Sequence, residues 1–155
     1  MNKFEELEEK ANNDSVFVYE VDLSKTRFKG LYCDSNVALS DALSTSSEKA
    51  CILAEELGHH HTSVGDITDQ TKAENRKQER QARLYAYNKL IGLRGLIQAF
   101  EKRCLCRTEM AQELEVTEEF LQEAIDCYTA KYGECATIDN YVIAFLPNLR
   151  ILKII

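Results

Sequence analysis

Two consecutive carboxylates, Glu55 and Glu56, are followed after Leu57 and Gly58 by three consecutive imidazoles, His59, His60 and His61. On a helix, at about 100° per residue, positions 55 and 59 point nearly the same way, and 56 and 60 form the next row of the same broad face. Ala50, Leu53, Ala54 and Leu57 follow the i, i+3, i+4, i+7 spacing of a buried stripe on the other side. One helix would therefore bury one face and present nitrogen and oxygen donors on the other, a set suited to a first-row metal.

Glu55-Glu56-Leu57-Gly58-His59 has the frame of H-E-x-x-H, with glutamate in the first histidine position. In that motif two imidazoles one turn apart bind zinc and the glutamate between them serves as general base. A carboxylate also ligates zinc, so the frame keeps a site that is more negative and holds its ion as a weaker Lewis acid. A third donor must come from elsewhere. Glu79 is the first candidate: it begins E-x-x-A-x-x-x-A, whose Ala82 and Ala86 allow a second helix to pack closely with Glu79 facing the first. Asp66 and His60 are its rivals.

The elements that must position these groups are legible around them. Residues 3–13 read as a short acidic helix. Residues 16–23, VFVYEVDL, alternate as a strand, with 27–33 as its partner and Val37–Leu39 as a third, so a small antiparallel sheet is expected. Thr45 and Glu48 match the S/T-x-x-E capping box and open a helix over about 46–61. Gly58 inside it either permits close backbone packing or is tolerated at about 1 kcal/mol relative to alanine. Residues 62–70 read as a loop. A long helix follows from Lys72 to Leu90, an interruption at 91–95, and helix again over 96–101. Residues 107–132 carry two helical patterns separated by 115–117, and extended segments follow at 141–145 and 149–155. The division expected is a core over 1–100 and a helical extension with short terminal strands over 101–155, packed on the core.

The 155 residues suffice for one domain with a small appendage, without disulfides. No apolar run approaches the roughly 20 residues of a membrane helix, and the acidic N-terminus lacks a secretory signal. A cytoplasmic protein with no membrane partner is expected. The six cysteines form no zinc-ribbon spacing and read as buried thiols in a reducing compartment. Residues 71–103 hold nine Lys/Arg against three acids, whereas 101–134 hold four basic and nine acidic residues. The helix-turn-helix cadence of 107–132 would therefore repel phosphate, and it reads as a structural or partner-binding element with no direct nucleic-acid role.

The sequence resembles the ImmA/IrrE family of metallopeptidases. The resemblance is carried by Leu53-Ala54-Glu55-Glu56-Leu57-Gly58-His59-His60, by Glu79-Arg80-Gln81-Ala82, by Gly30-Leu31-Tyr32, and by Met110 to Leu121, covering most of 16–132. It implies an α+β, zincin-like fold, with the small sheet packed on the metal-binding helix and a helical C-terminal half. It further implies zinc-dependent cleavage of a helix-turn-helix repressor, with Glu55, His59 and Glu79 as ligands and Glu56 as base. Manganese is the alternative ion. A different class of function is a protein-binding regulatory module, in which the scaffold persists and the substituted site does no chemistry.

Overall fold

In the computed structural model the described residues are 1–62 and 73–154. They divide into two compact units, Met1–Ala86 and Tyr87–Ile155.

The first unit begins with α1, Lys3–Asn13. Its N-terminus is closed by Asn2, whose side chain accepts from the Glu5 N–H while the Glu5 carboxylate accepts from the Asn2 N–H. Phe4, Leu7 and Ala11 form its buried stripe. Three strands follow, β1 (Phe17–Val21), β2 (Gly30–Cys33) and β3 (Asn36–Ser40). The sheet departs from the expected antiparallel arrangement. Its order is β1-β3-β2, with β3 central, antiparallel to β2 but parallel to β1. The cause lies in the segment between β1 and β2. Asp22 accepts from the Ser24 N–H, the Thr26 hydroxyl donates to the Leu23 carbonyl, and Phe28 N–H donates to the Thr26 hydroxyl. These local turns replace a tight hairpin, so β2 adds to the far edge of β3. Val37 and Leu39 of β3 are fully buried, while Phe17 and Tyr19 of β1 remain more than half exposed.

α2, Ser46–Thr62, packs against α1 and against β2 and β3 of this sheet, with Ala50, Leu53, Ala54 and Leu57 all buried and Ile52, Glu56 and His60 meeting β2. The Thr45 hydroxyl accepts from the Glu48 N–H, as the capping signature requires. The reciprocal bond is displaced by one residue: the Glu48 carboxylate accepts from the N–H and hydroxyl of Ser44. α3, Ala73–Leu90, follows, with Ala82 and Ala86 fully buried.

The second unit takes the end of α3 and adds α4 (Gly92–Glu101), α5 (Arg107–Leu114) and α6 (Glu118–Tyr132). The break between α3 and α4 is a single residue, Ile91, and not the five-residue interruption expected. Gly92 sits at φ +64°, a left-handed conformation that favours glycine, and the helix resumes from it. Thr117 caps α6 by accepting from the Phe120 N–H, and Phe120, Leu121, Ala124, Ile125 and Tyr128 form its buried face. An antiparallel meander ends the chain, β4 (Cys135–Ile138), β5 (Tyr141–Ala144) and β6 (Arg150–Lys153), in the order β4-β5-β6. Among the cysteines only Cys51 is buried; Cys33, Cys106 and Cys135 are exposed, which corrects the expectation of buried thiols. No helix among the described residues is long and apolar enough to cross a membrane.

Candidate metal centre

The approach of α2 to α3 is set by main-chain atoms. A Cβ at Gly58 would collide with the carbonyl oxygen of Ala82 and stand 3.0 Å from its Cα and carbonyl carbon. Only hydrogen fits between the two backbones, so close packing, and not tolerance, explains this glycine. The expectation that Ala82 and Ala86 turn Glu79 toward the first helix holds. One residue beyond Gly58, His59 Nε2 lies 3.4 Å from Glu79 Oε2. Arg83, one turn further along α3, places its Nε 3.4 Å from the other carboxylate oxygen.

Glu56 lies on the sheet side of this contact. A Cβ at Gly30 of β2 would stand 3.2 Å from both Cγ and Oε1 of Glu56, so the glycine leaves the carboxyl group its room against the strand. Burial, followed by the negative charges of Glu55 and Glu79, pushes the Glu56 pKa up to about 8. His59 shifts the other way. Its burial outweighs the attraction of Glu79 and lowers its pKa. Near neutrality, then, His59 is an uncharged imidazole with a lone pair, and its contact with Glu79 is not a pair of opposite charges.

The three imidazoles diverge, as steps of about 100° require. His59 meets α3. His60 turns to β2, where its Nδ1 lies 2.6 Å from the Tyr32 hydroxyl; that oxygen also accepts the Ser35 N–H at 3.3 Å. His61 stacks on Tyr85 at 4.9 Å between ring centroids and brings its Nε2 to 3.9 Å from Asp14 at the end of α1.

The donor set fits a zinc-like ion in its chemistry. Two ligands of a tetrahedral ion, each about 2.0–2.1 Å from it, stand about 3.3 Å apart, close to the 3.4 Å between His59 and Glu79. The carboxylates of Glu55 and Glu79 both oppose ionisation of Glu56, and a divalent cation beside them would favour it. The full shell is not drawn together: among the described residues no group of three or more His, Cys, Asp or Glu side chains is arranged to hold a metal ion. Glu55 is partly buried beside this cluster, and Asp66 lies outside the described residues. The Tyr32–His60 pair escaped the sequence reading, because its members are 28 residues apart and only the α2–β2 packing joins them.

Compared with known families, the chain matches the model of the peptidase M78 family, described as the IrrE N-terminal-like domain, over residues 13–126. The match spans β1 to β3, the donor-bearing helices α2 and α3, then α4, α5 and most of α6. No curated protein and no solved structure matches.

Proposed function

The chain belongs to the peptidase M78, IrrE N-terminal-like family, and from that premise we propose that it is a zinc-dependent endopeptidase whose substrate is a helix-turn-helix repressor. The observation that carries the metal reading is the His59–Glu79 approach of 3.4 Å across the Gly58–Ala82 crossing. Glu55 completes the proposed ligand set, with manganese as the alternative ion. When bound, the ion supplies a Lewis acid that makes water acidic near neutral pH and polarises a carbonyl.

The chain's own residues supply proton transfer and positioning. Glu56 is held against the β2 backbone at Gly30 and has a pKa near the operating pH, which suits a group that must both accept and release a proton. It takes the proton of the attacking water and delivers it to the leaving amine. His59 is kept neutral by burial and so retains the lone pair that ligation needs. Arg83 holds one oxygen of Glu79 and leaves the other facing His59.

The test combines metal analysis with a cleavage assay. Protein purified without a tag should carry about one equivalent of zinc or manganese, and it should cut the repressor at a discrete position that Glu56→Gln leaves uncut. Repressor bound but not cut by both versions would replace the peptidase reading with a docking module. The substrate class rests on the family resemblance, and the location in the cytoplasm is proposed with it.

A further inference from the structure

The hydroxyl of Tyr32 has a constrained role. It accepts the backbone N–H of Ser35 at 3.3 Å and lies 2.6 Å from His60 Nδ1. A phenol has one proton to give. A bond donated by the phenol to Nδ1 places the ring proton of His60 on Nε2, and this is the tautomer on which the inference below is built. The His60 ring also makes an edge contact with the His61 ring, at 5.0 Å between centroids. Nε2 has no partner among the described residues. No buried side-chain nitrogen or oxygen there lacks a partner, so Nε2 opens to solvent.

Its position follows from two periodicities. His60 stands one turn beyond Glu56 on α2, so the two are neighbours on one helix face. Tyr32 stands two residues beyond Gly30 on β2, so both lie on one face of the strand. Gly30 meets Glu56, and Tyr32 meets His60. These are successive rungs of a single α2–β2 contact, and the second places an imidazole one helical turn beyond the carboxyl-bearing residue of the first. With its ring proton on Nε2, His60 would have to give that proton up to bind a metal through that nitrogen.

We infer that His60 is a catalytic hydrogen-bond donor whose Nε2–H stabilises the oxyanion that develops on the scissile carbonyl, with Tyr32 as the positioning residue that fixes its tautomer. This rests on the peptidase reading. A donor fixed before the reaction is worth more than one that must reorient during it. The Tyr32–Ser35 relay provides that fixation through one strand and the turn that follows it.

Two measurements test the inference, one without catalysis. Long-range proton–nitrogen correlation spectra of metal-free, 15N-histidine-labelled protein should show His60 as the Nε2–H form, and Tyr32→Phe should convert it to a mixture of tautomers. An Nδ1–H form in the wild type overturns the inference. With the repressor as substrate, His60→Ala should lower kcat by about 10²- to 10³-fold, with KM and metal content little changed. His60→Gln, which restores an N–H donor, should recover part of that loss, and Tyr32→Phe should cost less than His60→Ala. A wild-type kcat in His60→Ala overturns the inference and leaves the peptidase intact. A wild-type protein that cuts nothing overturns both readings, whatever the tautomer.

Discussion

Glu56 in the first unit and Tyr128 in the second are both polar groups taken out of water, and their surroundings treat them in opposite ways. Tyr128 is fully buried, yet its hydroxyl donates to the Asn88 side chain at 3.0 Å and accepts the Gly92 N–H at 3.1 Å. Burial raises its pKa, so it stays a neutral, saturated phenol. Glu56 instead faces the negative charges of Glu55 and Glu79. Saturation marks a group that serves the fold. Like charges gathered around a buried carboxyl group mark a candidate functional group.

The largest effect that would break this contrast is at Glu56. Glu56→Gln should reduce cleavage by about 10²- to 10⁴-fold while leaving the protein folded. The same variant sharpens the comparison through pH. In the metal-free protein Glu56 keeps its proton up to about pH 8, whereas an ordinary glutamate loses it near 4.5. The folded state thus binds more protons over that interval, and its stability falls as pH rises through it. His59, with a lowered pKa, acts oppositely, and its contribution grows as pH rises to about 6.5. Thermal melts between pH 6.5 and 8 should therefore show a falling Tm in the wild type and a flatter profile in Glu56→Gln. A parallel fall in both would remove the carboxyl group as its cause.

Gly58→Ala should come next. Alanine gains about 1 kcal/mol in helix propensity, but its Cβ meets the Ala82 main chain, which no rotamer change can relieve. A net loss of about 1–3 kcal/mol is expected in denaturant titrations, together with weaker zinc retention as His59 is pushed from Glu79. A stabilised variant would show that the helices separate freely. Tyr128→Phe should cost about 1–3 kcal/mol by stranding the Gly92 N–H and the Asn88 oxygen. Metal content and cleavage at a temperature where the protein stays folded should not change; a lost metal would break the division between structural and functional polar groups. Smallest, Thr117→Ala should cost about 1 kcal/mol by removing the α6 cap, read as a shift of the urea midpoint with an unaltered slope.

The sequence was most informative where the signal is local. The stripe at 50, 53, 54 and 57, the cap at Thr45 and the Glu55–His59 frame all lie within one helix, whose period relates their side chains directly. Glu79 was legible because the small residues Ala82 and Ala86 announce a close helix contact, and both are fully buried. Strand order was not legible. Alternation in 16–23 identifies a strand but not its neighbour, and the Asp22–Phe28 turns that send β2 across β3 carry no hairpin signature. The relation of Tyr32 to His60 depends on that same strand placement, so it appears only once the chain is folded.

The contact at Gly58 bears on how this protein tolerates change over generations. Where two helices are spaced by interlocking side chains, each replacement in the seam alters the spacing. Here the seam closes on the main chain at Gly58 and Ala82, which every residue type shares. The separation of the two donors then depends first on one residue with no side chain at all, and next on the small, fully buried Ala82 and Ala86 that line the same approach.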